Sequence, residues 1–391
     1  LNSAAGRFER LQIAGEDQGT LAFVPFPLPP RNPKVSRPGE LSERLNAAEH
    51  ALARLAFAGR MLPDPEPLLH AFARREAVLS SRLDGLQVEL MDLLRSQVMD
   101  DTAGTPALAQ LHNHIAAWRQ ARGQLARKKE RKLSLTLLDR GWQRMFRDSD
   151  RPAGKAAPLR CSQERGDYGL AGQSSYLPPA AHRLPVLLEE LEAYLQSGDK
   201  LPELVRIGLI QAQFENIHPY PAGNGRLARL LSTLLLEHWG YLELPLPCLS
   251  LHFHRQGDDY AQRLAAIREE GDWEGWTGFF LDSLEAAADE AVATLRDLHA
   301  IVTRDRKRLL ASEGSALSAV RLFEDLPDQP VLTVARTMDL LQTTKPTAGR
   351  AIEALVDAGI LEEITGRKRD RSYAYTAFIE RLGRGMEREQ G

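Results

Sequence analysis

The tightest constraint on this chain lies between Leu204 and Leu235. Leu204, Ile207, Ile210, Phe214 and Ile217 recur at helical spacing, and Pro219 and Pro221 then stop the helix. Just beyond, Leu227, Leu230, Leu231, Leu234 and Leu235 mark a second helix that buries one side. The two helices must be joined by a glycine-flanked turn, Gly223-Asn224-Gly225, which presents backbone N–H groups at a helix N-terminus. At about 100° per residue, Arg226 and Arg229 stand about 60° apart beside the first turn of that helix. Free N–H groups, the positive end of a helix dipole and two guanidiniums suit an anion with several oxygens, most naturally a polyphosphate. His218 sits at the lip of the turn, where an imidazole could take a proton from a hydroxyl. No GK[ST] follows and no strand precedes, so this is not a P-loop.

The rest of the 391 residues suggests two or three domains at roughly 150 residues each. Fifty basic against 53 acidic residues leave a formal charge of −3, so any attraction to nucleic acid or membrane has to be local. Cys161 and Cys248 lack a CxxC partner, which argues against a disulfide scaffold or a thiolate zinc site. No apolar run approaches the ~18 residues of a membrane span and no signal layout opens the chain, so the expectation is a soluble cytoplasmic protein without membrane contact. The fold expected is mainly α, in three parts: residues 1–104, 105–300 and 301–391. The first part holds the proline-rich, extended FVPFPLPPRNP (23–33), then helical patterns at Leu41, Leu45, Leu52 and Leu55 and at Leu68, Leu69, Phe72, Leu79 and Leu83. The basic run Arg127 to Lys132 has no aromatic platform beside it and reads as a solvated helix face.

HPYPAGNGRLAR, His218 to Arg229, resembles the core motif of the Fic family, HPFx[D/E]GNGRxxR. Further likeness lies in FVPFPLPP, in the helix ending at SSRLDG (Ser80 to Gly85), in YLPP (Tyr176 to Pro179) at the end of the substrate flap, and in GDWEGWTGFFL (Gly271 to Leu281). Together these cover about residues 20–300. The resemblance implies an all-α Fic-like domain with ATP as substrate. It implies transfer of AMP to a Ser, Thr or Tyr hydroxyl of a target protein. His218 would then be the general base. Gly223, Asn224, Gly225, Arg226 and Arg229 would bind phosphates, and Tyr260 would lie by the adenine pocket.

Three departures qualify the likeness. The family's acidic residue, which ligates Mg²⁺ between the α- and β-phosphates, falls here on Ala222, and a methyl group offers no oxygen to a hard cation. Slow AMP transfer, transfer of another phosphate-linked group, and nucleotide binding without turnover all stay open, with Mg²⁺ reaching the site only through ATP oxygens and water. The resembling inhibitory motif, [S/T]xxxE[G/N], appears as Ser80 through Asp84-Gly85, with a carboxylate one methylene shorter aimed at Arg229. Its plain alternative is a helix break. The flap, entered through Arg160 and Gln163, is short and glycine-rich at GDYGLAGQSS; as a hairpin its edge could align an extended target by strand pairing, against the alternative of a disordered surface loop. His252 and His254 share a face only in an extended segment, and His112 and His114 point apart on a helix, so no metal site is expected.

From Pro330 the pattern changes. VLTVARTMDLL reads as a short helix. A second helix follows, with Thr343-Thr344 as cap, Pro346 in its first turn and Gly359 at its end. A hairpin about Gly366 carries Arg367, Lys368, Arg369 and Arg371. This resembles a winged helix-turn-helix, in which Lys345 and Arg350 lie on the groove-reading helix. It makes DNA a candidate partner, against the alternative of a protein-interaction module. A non-catalytic nucleotide sensor or DNA-binding regulator is the rival to the enzyme, and homodimerisation is left open.

Overall fold

The structure is a computed structural model that describes residues 3–12, 20–31, 40–98, 105–126, 133–147, 159–161, 176–312, 316–367 and 369–387. The basic run at 127–132, Gln163, the glycine-rich GDYGLAGQSS and Lys368 lie outside the described residues.

A hairpin of β1 (Gly6–Leu11) and β2 (Thr20–Pro25) opens the chain, with Phe8 opposite Phe23. Helices α1 (Glu40–Arg60), α2 (Glu66–Leu83), α3 (Leu90–Ser96), α4 (Pro106–Ala126) and α5 (Thr136–Met145) follow. Then come α6 (Leu184–Leu195), α7 (Glu203–Ile217), α8 (Asn224–His238), α9 (Leu249–Arg255), α10 (Gly257–Glu270) and α11 (Trp273–Ala311). The chain closes with α12 (Leu317–Asp325), β3 (Val331–Thr333), α13 (Val334–Leu341), α14 (Lys345–Asp357), β4 (Glu362–Glu363), β5 (Ser372–Ala374) and α15 (Thr376–Gly383). The mainly α expectation holds.

The pair α7–α8 lies at the centre. Both faces of α7 are covered, not only the apolar stripe read from its sequence, because α6, α8 and α11 surround it. Gly208 lets the ring of Phe280 approach to where a side chain would collide, and Trp276 donates its indole N–H to the Gly208 carbonyl (2.8 Å).

Two apolar cores form. The first unites β2, α1, α5 to α8, α10 and the first half of α11. The second gathers α3, the outer side of α2, the far end of α11 and the C-terminal elements. The division expected at residue 300 therefore falls inside α11, whose 39 residues run from one core into the other. In the C-terminal part the strands order β3-β5-β4, all antiparallel. One reading needs correction here: Val331–Thr333 is a strand, not the start of the helix. It pairs with Ser372–Ala374, and Thr333 then caps α13 by accepting the Arg336 N–H (3.1 Å). Pro346 lies in the first turn of α14, and Gly359 takes the left-handed conformation (φ 64°) just past its end, as expected. Thr344 occupies the N-cap of α14, but its hydroxyl meets Thr347 Oγ1 (3.3 Å) instead of a backbone N–H.

Candidate active site

The turn between α7 and α8 is built by its own residues. Helix α7 ends at Ile217, and His218 adopts a left-handed conformation (φ 49°, ψ 60°) that swings the chain out of the helix. Asn224 then closes the loop. Its Oδ1 accepts from the Tyr220 N–H (2.9 Å) and its Nδ2 donates to the Tyr220 carbonyl (2.8 Å). The Asn224 side chain is thus a staple of the turn, and what it can offer an anion is its backbone N–H. Gly223 caps α8 at φ 74°, and a side chain there would strike the Phe146 ring. Helix α5 props the turn from outside: Trp142 Nε1 donates to the Ala222 carbonyl (3.0 Å), and Trp142 stacks on Tyr220, whose hydroxyl donates to Asp139.

Arg226 and Arg229 do not lie on a wet flank. They are 3% and 2% exposed, because α2 lies across them. The carboxylate of Asp84, at the end of α2, sits between them. Arg226 Nε donates to Oδ2 (2.9 Å) and Arg229 Nη2 to Oδ1 (2.8 Å). Arg229 also donates to Ser80 Oγ (2.9 Å) and to the Ser80 carbonyl (2.8 Å). Gly225 makes room for this, since a Cβ there would stand 2.9 Å from Asp84 Oδ1. The structure thus brings Ser80, Asp84, Gly225, Arg226 and Arg229 together, and Gly85 (φ 86°) turns the chain away behind them. An anion already fills the cradle, and it belongs to the chain itself.

Burial pushes the Asp84 carboxyl upward, but Arg229 and Arg226 outweigh it and hold it below the usual carboxylate range. Burial alone would lower Arg229, yet the Asp84 carboxylate raises it above its ordinary value. Burial, then the Arg160 charge, brings His218 down to about 3, so its imidazole is neutral at pH 7 and able to accept a proton.

Tyr260 is buried, and its hydroxyl donates to Glu215 on α7. Glu215 is itself raised, chiefly by burial. His252 and His254 lie on helix α9 and so diverge, and among the described residues no cluster of His, Cys, Asp and Glu could hold a metal. At the turn, the Ala222 side chain supplies no oxygen and its carbonyl accepts from Trp142, Asp84 is paired to two arginines and Asp139 accepts from Tyr220. These residues do not fit a protein-held Mg²⁺.

Two participants escaped the sequence reading. From α4, Gln110 Oε1 accepts from Arg226 (3.4 Å). His114, one turn on, is buried with Nδ1 unpartnered, and is lowered to about 3 by burial and then by Arg226 and Arg229. Their i, i+4 spacing put them on one face of a helix, but nothing in the sequence said which neighbour that face meets.

A helical scaffold whose central turn holds a carboxylate between two buried arginines, beside a neutral imidazole, has the chemistry of an anion-binding site. Two family models match: the Fic/DOC family N-terminal region over residues 42–122 and the Fic/DOC family over 105–236. The chain belongs to the Fic/DOC family. Among curated relatives it is similar to the protein adenylyltransferase Fic of Drosophila mojavensis, 26% identical over 220 residues that make up 54% of this chain and 41% of that one. A probable protein adenylyltransferase of Aquifex aeolicus is 23% identical over 183 residues, 46% of this chain and 52% of the other. The chain therefore spans only about half, or less, of the length of these relatives. Among solved structures, a Fic family protein from Desulfovibrio desulfuricans superposes with a TM-score of 0.56 at 18% identity, covering 88% of this chain and 97% of that one. Fic-1 from C. elegans gives 0.50 at 16% identity, covering 66% and 73%. These likenesses establish the helical fold. No helix among the described residues is long and apolar enough to cross a membrane.

Proposed function

We propose that this protein transfers AMP from ATP to a Ser, Thr or Tyr hydroxyl of a target protein, and that Asp84 keeps it inhibited. The reading rests on one observation: Arg226 and Arg229, beside the Gly223-Asn224-Gly225 turn, hold the Asp84 carboxylate between them. A cradle that holds a carboxylate with charge-assisted bonds can hold phosphate oxygens instead. In the reaction the target oxygen bonds to the α-phosphorus, the bond to the β-phosphate oxygen breaks, pyrophosphate leaves, and His218 takes the hydroxyl proton. Arg226, Arg229 and the N–H groups at the start of α8 stabilise the phosphate charge. Tyr260 lies near the nucleobase in this scheme, and residues 1–104, 105–300 and 301–391 act as inhibitory, transfer and winged-helix parts. With Ala222 in the metal-ligand position, no step is assigned to a protein-bound Mg²⁺, and turnover is expected to be weak.

Incubation with ATP labelled at the α- or the γ-phosphate tests this. The Asp84→Gly variant should transfer only the α-label, and His218→Ala should abolish it. Absence of label in folded Asp84→Gly protein would count against transfer.

A second reading has its own support. Lys345, Arg350, Arg367, Arg369 and Arg371 are all exposed on the three-stranded C-terminal unit, a basic surface fit for DNA in a winged helix-turn-helix. With Ala222 at the turn, the protein would then be a nucleotide-binding regulator. Salt-dependent affinity for duplex DNA, together with ATP binding but no label transfer, would favour it.

A further inference from the structure

A helix leaves its last four carbonyls without intrahelical donors, and a left-handed histidine after it adds strain at that point. At the end of α7 these carbonyls are met by two residues distant in sequence. Tyr176 Oη donates to the Glu215 carbonyl (2.8 Å), with the Asn216 carbonyl at 3.3 Å. Arg160 Nη2 reaches the Ile217 carbonyl (3.4 Å), Arg160 Nε donates to the His218 carbonyl (2.7 Å), and the Arg160 N–H to that of Pro219 (3.0 Å). Both residues are held in turn. Arg160 is buried and also donates to the Pro179 carbonyl. Arg268 lies 4.1 Å over the Tyr176 ring and donates to Asn216 Oδ1 (3.2 Å). The chain past Tyr176 is pinned to β2 by the Phe23 N–H on the Leu177 carbonyl (2.9 Å).

The Glu215 backbone also acts on the His218 ring, opposing the effect of burial.

We propose that Arg160 and Tyr176 are positioning residues: by taking up the carbonyls of 215 through 219 they fix the left-handed turn that aims His218. This rests on the reading of His218 as the general base, but part of its test does not. The Arg160 charge beside the imidazole adds to the effect by favouring its neutral form.

The experiment compares Arg160→Gln, Arg160→Lys and Tyr176→Phe in the full chain, with Arg206→Gln as control. Arg206 is an equally buried arginine that caps another helix end through the Tyr194 and Ser197 carbonyls (3.2 and 2.9 Å). The first readout is NMR titration of labelled histidine rings, with the His218 signal assigned by its loss in His218→Asn. Arg160→Gln should raise the His218 pKa, Tyr176→Phe should change its ring-nitrogen shifts, and Arg206→Gln should alter neither while lowering thermal stability. Arg160→Lys, which keeps the charge, should restore much of the titration. The second readout is label transfer in the Asp84→Gly background. There, kcat should fall ~100-fold, as expected of a catalytic group misplaced by an ångström, with KM for ATP unchanged. A His218 titration identical in all the variants, or a shift of equal size in Arg206→Gln, overturns the proposal. So does a rise in KM with kcat unchanged. If Asp84→Gly transfers no label at all, the transfer reading fails, and the NMR titration alone decides the proposal.

Discussion

Replacing Asp84 by asparagine keeps the size of the side chain and removes its charge. In the native chain the carboxylate makes one charge-assisted bond to Arg226 and one to Arg229, and it is only 18% exposed. Hydrogen bonds to charged groups contribute about 1.5–3 kcal/mol each, so displacing the carboxylate opposes an incoming triphosphate by roughly 3–6 kcal/mol. Taking the lower figure, because Arg229 keeps its Ser80 contacts, ATP affinity should rise by about 100-fold at 1.4 kcal/mol per factor of ten. Stability should move the other way. Two buried guanidiniums lose their counter-charge, and breaking such a pair costs on the order of 3–5 kcal/mol. Calorimetric titration with ATP alongside thermal unfolding checks both signs at once. Tighter binding in a less stable protein is the signature of a self-supplied competitor. A folded Asp84→Asn protein that binds ATP no better than the parent would refute the reasoning.

The remaining expectations follow from the same geometry. With His218 lowered to about 3, the rate of Asp84→Gly protein should stay flat as pH falls from 8 to 5.5, and a rate profile bending near the ordinary histidine value of about 6.5 would contradict the site's electrostatics. Asp84 is held below the usual carboxylate range, so its clamp is present at neutral pH and is lost as pH falls through that lowered value; stability should drop there in the parent and not in Asp84→Asn. Gly225→Ala places a Cβ 2.7 Å from Arg229 Nη1 and should weaken the hold on the plug and on ATP alike, visible as lower thermal stability and a higher Kd. Ala222→Asp should raise transfer in the presence of Mg²⁺ and leave it unchanged without the metal. Arg82 donates to the Val88 and Met386 carbonyls (2.8 and 2.7 Å), and Arg82→Gln should loosen the end of α2 and tighten ATP binding by up to about tenfold, worth one such contact.

The heart of the site was legible because it is local. The leucine spacing of α8, the prolines after α7 and the glycines between them specify two helices and a tight turn within about thirty residues, whatever the rest of the chain does. The candidate plug was also readable, as a short motif at a helix end. What the sequence left open was set by distant partners. That Arg226 shares the Asp84 carboxylate with Arg229, and that both arginines are buried, depends on α2, some 140 residues earlier. Arg160 and Tyr176 attach to α7 across 58 and 39 residues, and no periodic pattern announces such a contact. Val331–Thr333 runs straight into the helical segment that follows and reads with it in the sequence, yet it is a strand because Ser372–Ala374 lies beside it. The far half of α11 keeps an apolar stripe whose sequence does not reveal that it changes core.

Helix α2 has two allegiances. Leu69, Phe72 and Leu83 belong to the core around the anion turn, whereas Ala71, Ala77, Val78 and Leu79 belong to the core of the C-terminal unit. Arg75 reaches the Arg384 carbonyl (2.8 Å), and His70 meets Asp328 (2.9 Å) beyond α12. Eighteen residues thus work as a lever with a load at each end. If the turn binds a nucleotide as proposed, a macromolecule that tugs on the C-terminal unit would feel it, and the nucleotide would feel the macromolecule to the same degree, since such linkage is symmetric by thermodynamic necessity.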